Sequence, residues 1–140
     1  MFSKWQKWNQ QEKCNNFSTG NYFLGSKFKK LGVFFEKAKN FLIKAYKSRP
    51  ADPYIVDSLG WAYYKLQDYD NAVKELEKAV SLKPTDPIIN DHLGDAYEKK
   101  ERILEAYFQW KKALDFKPED KLKKQIEMKL KNFTKYIYIY

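Results

Sequence analysis

The residues of this 140-residue chain whose types could support chemistry lie around its one histidine. His92 follows Asp91, and Asp95 comes one helical turn later, so the two carboxylates would share one face of a helix. Such a set could hold a metal ion, and Ser58, further upstream, could supply a hydroxyl nucleophile. A catalytic triad, however, is defined by geometry, and neighbouring Asp and His side chains on a helix point in different directions. The sequence also has no glycine-rich phosphate loop. We therefore predict neither catalysis nor a bound metal or cofactor.

The elements that would position these residues repeat with a period of 34. Asp52-Pro53 recurs as Asp86-Pro87, at the expected start of a helix in each copy. A fixed period of this length is typical of a solenoid built from stacked helical hairpins. The positions that recur one period apart are Leu59 and Leu93, Gly60 and Gly94, Tyr63 and Tyr97, Ala72 and Ala106, Leu76 and Trp110, Ala79 and Ala113, and Pro84 and Pro118.

This pattern resembles the tetratricopeptide repeat, which has Leu-Gly-x-x-Tyr on a first helix, Ala-x-x-x-(large apolar) on a second, and Pro at the exit. The segments 57–64 and 90–97 also resemble the last two repeats of a larger bacterial protein of this family. The resemblance implies an all-α fold, a right-handed α-solenoid of three antiparallel helix hairpins with a C-terminal capping helix. It also implies a protein-binding scaffold or adaptor and not an enzyme.

A weaker copy precedes the two clear ones, with Ala38 and Pro50 at the expected spacing and one extra residue between its helices. Apolar residues at helical spacing after the last copy, Leu122, Ile126, Leu130 and Phe133, predict the capping helix. The predicted organisation is an irregular N-terminal helix or repeat remnant at 1–17, repeats at 18–52, 53–86 and 87–120, the capping helix at 121–133, and a frayed tail at 134–140.

Most of the repeated residues are expected to pack the helices. Asp52 and Asp86 would cap helix starts, and the exit prolines would end the second helices. Gly60 and Gly94 fall inside first helices, where glycine costs about 1 kcal/mol relative to alanine, so a paired helix must come very close there. We expect the small side chains of Ala72 and Ala106 to face these glycines across each hairpin.

The remaining positions of the first helices would line the concave groove that the resemblance implies. This inner stripe consists of Tyr54, Asp57, Trp61 and Tyr64 in the second repeat, and Ile88, Asp91, Asp95 and Glu98 in the third, with Lys65 and Lys99 as the alternatives for the last position of each. Aromatic anchors over an acidic floor would suit a protein or peptide that carries a basic and an apolar side chain. Some members of the family bind an acidic C-terminal tail with basic residues on these faces, but the carboxylates here would repel one. The alternative is an ordinary solvated helix face, with Trp61 packed against the neighbouring hairpin.

The net charge of +9 comes mainly from residues 1–50, which hold 11 Lys and Arg against 2 Asp and Glu. A basic segment rich in aromatic residues could bind nucleic acid or an anionic membrane surface, and we keep this as the alternative function. Basic residues are 25 Lys against 2 Arg, however, and base-specific or bidentate phosphate contacts favour Arg, which argues against nucleic acid. A third alternative is a truncated, degenerate repeat protein.

The sequence contains no apolar run long enough to span a membrane, so we predict no transmembrane segment. It also contains no secretory signal, so we predict a cytoplasmic location, although a longer relative could be exported. The single cysteine, Cys14, excludes an internal disulfide. Self-association through the N-terminal end is also expected, because a terminal repeat without a polar outer face is poorly soluble. The residues that would form this contact are Phe2, Trp5, Trp8, Phe17 and Phe23.

Overall fold

The computed structural model of the protein describes residues 22–138. The predicted N-terminal segment 1–17 and residues 139–140 of the tail lie outside this range, and so do four of the five residues expected to drive self-association, Phe2, Trp5, Trp8 and Phe17. Of the fifth, Phe23, only the backbone is described. Residues 22–34 belong to one compact unit and residues 35–138 to a second. The second unit contains the hairpins and the candidate site.

Within the described range the secondary structure is entirely helical, as the predicted all-α fold of helical hairpins requires. Two hairpins are followed by a final helix, and none of the described helices is long and apolar enough to cross a membrane. The helices are α1 (Tyr22–Ser48), α2 (Pro53–Lys65), α3 (Tyr69–Leu82), α4 (Pro87–Lys99), α5 (Ile103–Asp115) and α6 (Asp120–Ile137). The hairpins are α2 with α3 and α4 with α5.

The first helix of each hairpin begins with the predicted aspartate cap. Asp52 Oδ1 accepts the backbone N–H groups of residues 54 and 55, and Asp86 Oδ1 accepts those of residues 88 and 89. A cap of this kind stabilises a helix by about 1 kcal/mol, and the following proline suits the first helical position. The second helices end at Leu82 and Asp115, shortly before Pro84 and Pro118, which could not have extended them.

The two helices of each hairpin meet closely where a glycine of the first faces a large apolar residue of the second. A Cβ atom placed on Gly60 would lie 2.7 Å from Leu76 Cγ, and one on Gly94 would lie 2.5 Å from the Trp110 ring. The residues that face the glycines are therefore Leu76 and Trp110, and the expectation that Ala72 and Ala106 face them was wrong. In each hairpin a large side chain of the second helix packs directly on the backbone of the first helix, and only glycine leaves room for it there.

The first repeat does not form the predicted hairpin, because α1 runs as one helix of 27 residues. In the other copies the chain turns at Gln67 and Glu101, which have φ values of 63° and 59°. Because the first copy has one extra residue between its helices, the position equivalent to Gln67 is Gly32 or Val33, depending on the helix from which it is counted. The position equivalent to the helix cap Asp68, counted from the second helix, is Phe34, whose side chain cannot accept a capping hydrogen bond. Without a cap for a second helix, the first helix continues.

Helix α6 closes the core of the last hairpin. Ile126 and Phe133 are buried on it, and the Phe133 ring lies 6.2 Å from that of Trp110. The helix is longer than the predicted 121–133, since residues 134–137 continue it where a frayed tail was expected. Extending an anchored helix by one turn needs no new nucleus, which outweighs the short β-like alternation of the tail. The larger core cluster contains Ala72, Val73, Leu76, Leu93, Ala96, Tyr97, Ala106, Trp110, Ala113, Ile126 and Phe133, while Val56, Ala79 and Ile89 form a second.

Gly94→Ala tests the close approach of the paired helices. The added methyl group must displace the Trp110 ring, so we expect the free energy of unfolding to fall by about 1–3 kcal/mol. Gly32→Ala is the matched control, because a Cβ there meets nothing within 4 Å and alanine favours the helix by up to about 1 kcal/mol. Urea denaturation of both variants measures the difference. Equal stabilities would contradict this account of the packing.

Candidate functional site

Helices α2, α4 and α6 present equivalent positions to one another. Trp61, Asp95 and Lys129 follow at intervals of one repeat period, one on each helix. Asp120, at the start of α6, likewise lies one period after the cap Asp86. Helix α6 therefore continues the repeat as a further first helix, and its lysine joins the same row as the inner stripe.

Lys129 neutralises much of the predicted acidic floor. Its ammonium nitrogen lies 2.8 Å from Asp91 Oδ1 and 2.8 Å and 3.0 Å from the two Asp95 oxygens. The side chains of all three residues are at most 12% exposed. Trp110 Nε1 also donates to Asp95 Oδ1 over 3.1 Å. The two carboxylates are thus engaged from inside the protein, by a residue that the sequence analysis had not singled out.

The charges in this cluster are not fully balanced, since one ammonium serves two carboxylates. Burial and the neighbouring charge of Asp95 raise the pKa of Asp91, and Lys129 offsets this only in part. Burial opposes the charge on Lys129, but the attraction of Asp95 and Asp91 outweighs it and raises the pKa of the lysine. Although the Glu98 residue is exposed overall, partial desolvation of its carboxyl group and the charge of Asp95 raise its pKa. The inner stripe therefore keeps a negative bias.

The histidine pairs with an aspartate of the other repeat and not with its sequence neighbour. His92 Nδ1 lies 2.8 Å from Asp57 Oδ1, which links α4 to α2. The imidazole stacks on Trp61 at a centroid distance of 4.0 Å, and Trp61 stacks on Tyr64 at 4.4 Å. Lys65 Nζ lies 4.9 Å from the Trp61 ring centroid, and burial lowers its pKa to about 8. These contacts form a column of three rings across the two repeats.

The inner stripe thus divides into buried and exposed positions. Asp57, Asp91 and Asp95 are buried, and Trp61 and Tyr64 are half-buried in the ring column. Three members are exposed, namely Tyr54 at 54%, Ile88 at 50% and Glu98. Tyr54 and Ile88 occupy the same position of successive repeats, while Lys83 donates to the Tyr54 hydroxyl.

Among residues 22–138 the side chains of the inner stripe engage mainly in ion pairs, hydrogen bonds and ring stacking. The His92 imidazole is hydrogen-bonded to Asp57 through Nδ1 and stacks on Trp61. The search for groups of three or more His, Cys, Asp and Glu side chains able to hold a metal ion found none in this range. The carboxylates considered as metal ligands, Asp91 and Asp95, instead bind the Lys129 ammonium.

Lys129→Met tests how strongly the stability of the fold depends on the buried ion pairs of Lys129 with Asp91 and Asp95. Removing the cation leaves two buried carboxylates without an opposite charge, so we expect the free energy of unfolding to fall by about 3–5 kcal/mol. Lys124→Met removes an exposed lysine from the same helix and is expected to change stability by less than about 0.5 kcal/mol. Urea denaturation at pH 7 compares the two. A loss no larger than that of the control would mean that the cluster is not coupled to folding.

The comparisons with known proteins agree with the helical-hairpin fold. Residues 60–101 match the family model described as "TPR repeat", where TPR stands for tetratricopeptide repeat. This range runs from the first hairpin glycine to the turn after α4. A search of curated protein sequences found no significant match.

Solved structures extend the likeness over most of the chain. A tetratricopeptide protein of Thermus thermophilus shares 25% identity with a TM-score of 0.63, covering 73% of this chain and 50% of that one. The first repeat domain of Spaghetti (RPAP3), bound to the HSP90 peptide SRMEEVD, shares 19% identity with a TM-score of 0.69, covering 81% and 87%. PcrH, in complex with the chaperone binding region of PopD, shares 13% identity with a TM-score of 0.69, covering 86% and 98%.

At their low identity the last two structures are evidence for the fold alone. The family match covers the clearest part of the repeat pattern, and the solved structures extend the helical-hairpin fold on both sides of it. Together these findings identify residues 60–101 as tetratricopeptide repeat sequence and show that most of the chain shares the helical-hairpin fold of tetratricopeptide repeat proteins.

Proposed function

We propose that the protein is an interaction module that binds a peptide or protein partner on the inner stripe of α2 and α4, as a scaffold or adaptor without catalysis. The observation that carries this proposal is the exposed apolar pair Tyr54 and Ile88, which stand in line on successive repeats. A single exposed apolar side chain is common on protein surfaces. Two at the same repeat position of successive first helices place exposed apolar area at matching points of the array, where one partner could cover both.

The charges of the inner stripe favour a basic partner. Asp57, Asp91, Asp95 and Glu98 are opposed by the cations Lys129 and Lys65 and by the titratable His92. A partner with Lys or Arg beside an apolar side chain would place its charge near this excess and its apolar group on Tyr54 or Ile88. Complementary charge of this kind selects partners more than it adds affinity.

The fold neighbours support peptide binding as a class of function but differ in charge preference. RPAP3 is bound to SRMEEVD, a peptide with three acidic side chains, and PcrH to a region of PopD. In this chain the carboxylates of the inner stripe would repel an acidic peptide. We therefore transfer only the class of function, the binding of a peptide or a protein segment, and not the ligand.

A pair of capped peptides tests the proposal. The first has seven residues with two Lys-Leu pairs, and the second replaces each Lys by Glu. We expect the basic peptide to bind in the micromolar to millimolar range by calorimetry, at roughly −4 to −8 kcal/mol, and the acidic one not to bind. Tyr54→Ser with Ile88→Ser should weaken binding by about tenfold or more while helicity is unchanged, because both side chains are exposed.

The matched control for this double variant is Leu104→Ser with Phe108→Ser. These side chains are also apolar and are 66% and 60% exposed, but they lie on α5, outside the inner stripe. Unchanged binding in the control is expected. An equal loss of binding in both double variants would place the site on another surface. So would binding that neither double variant weakens but that high salt abolishes, and the basic residues 1–50 would then be the first alternative.

A further inference from the structure

His92 lies where the two repeats meet, on the side of the inner stripe. Its ring touches α2 in two ways, through the 2.8 Å contact of Nδ1 with Asp57 and through the stack on Trp61. Both partners belong to the other repeat, so the imidazole joins α2 to α4. The equivalent position in α2 is Ser58, which is exposed, so this contact is peculiar to the one junction.

The electrostatic surroundings of His92 come from three helices. On α2 they are Asp57 and Lys65, on α4 they are Asp91 and Asp95, and on α6 the cation is Lys129. The phenol of Tyr64 stands one ring further along the column, beyond Trp61. The ammonium of Lys129 pairs with two of the three buried aspartates, and a proton on His92 would supply a positive charge to the third.

We propose that His92 is a proton-operated clamp between the two repeats, and that its proton and a basic partner compete for the same negative charge. Protonation makes the His92–Asp57 contact an ion pair and holds Trp61 in the ring column. Deprotonation leaves the charge of Asp57 uncompensated beside Asp91 and Asp95. The second half of this proposal, the competition with a partner, rests on the proposed function.

The balance of forces on the imidazole favours the proton. Burial disfavours the charged ring, but the hydrogen bond and charge of Asp57, helped by Asp91 and Asp95, outweigh burial and raise the pKa of His92 above 6.5. The stabilisation from this pair is therefore fully present below the unfolded value near 6.5. It is lost as the pH rises through the higher pKa of the folded state.

The free protein gives the most direct test of the clamp. His92 is the only histidine of the chain, so its Cε1 proton is a single NMR signal that can be followed against pH. We expect a midpoint above 6.5, and a lower one in Asp57→Asn, where burial is no longer outweighed. Asp115→Asn, an exposed change on α5, is the control and should leave the midpoint unchanged. A midpoint at or below 6.5, or the same midpoint in Asp57→Asn, would overturn the clamp.

A second measurement does not depend on whether Asp57→Asn folds. The wild type is expected to melt at a higher temperature at pH 6 than at pH 8. His92→Gln should lose most of this difference because it removes the main group that titrates in this range, while Asp91, whose pKa burial also raises, leaves a smaller remainder. If the variant keeps the whole difference, other groups are responsible and the clamp is refuted.

The competition is tested with the Lys-Leu peptide. Its affinity should be about fivefold higher at pH 8 than at pH 6. Saturating peptide should in turn lower the midpoint of the His92 titration, because the proton and the peptide each weaken the binding of the other by the same coupling free energy. Binding that is equal at both pH values would overturn the competition. No binding at either pH would count against the proposed basic partner, while the titration of the free protein would still decide the clamp.

Discussion

The closeness of paired helices at Gly60 and Gly94 is the constraint on which the rest of the array depends. Leu76 and Trp110 lie directly over these residues, in space that a single methyl group would fill. Because the contact recurs once per repeat, successive first helices are brought into the same register. That register aligns Tyr54 with Ile88 and Trp61 with Asp95, and so creates the inner stripe. The surface proposed to bind a partner is thus a consequence of how each hairpin closes.

The same register explains why the stripe is charged and yet buried. It lines up aspartates on α2 and α4, and it brings Lys129 of α6 into the row that already contains Trp61 and Asp95. Each of the three buried carboxylates finds a cation or a titratable partner on a neighbouring helix, at 2.8 Å in every case. Breaking such pairs is costly even when forming them gains little, so they fix the arrangement of the helices more than they stabilise it. Binding of a partner would then depend on the residual charge and on the exposed apolar pair.

Much of the fold could be predicted from the sequence, because the relevant signals are local and repeated. The Asp-Pro starts, the hairpin glycines and the exit prolines each act within one or two turns of helix, and all of them occur as expected. The first repeat lacks one of these local signals, since Phe34 stands where the second repeat has the helix cap Asp68, and the chain there forms one long helix. The apolar residues at helical spacing predicted a final helix, but its end at Ile137 depended on propagation from the packed Phe133, which no pattern in the tail indicates.

The site was harder to predict, because its contacts join residues that are distant in sequence. The eight positions of the inner stripe follow from the repeat, but which of them stay exposed depends on partners that lie on other helices. His92 was considered with its neighbour Asp91, although its partner is Asp57. Lys129 was not considered, although the repeat interval from Trp61 to Asp95 continues to it. Counting one further interval of 34 residues from Asp95 into the capping helix leads to Lys129, and this spacing could have revealed the lysine.

The most direct test of the central claim is to map the bound Lys-Leu peptide by amide chemical shifts of the isotopically labelled protein. A partner on the inner stripe should shift amides of α2 and α4, most strongly around Tyr54 and Ile88, and the indole signal of Trp61. Amides around Leu104 and Phe108 on α5 should stay unchanged. Shifts confined to α5 or to residues 1–50, with α2 and α4 unaffected, would contradict the account.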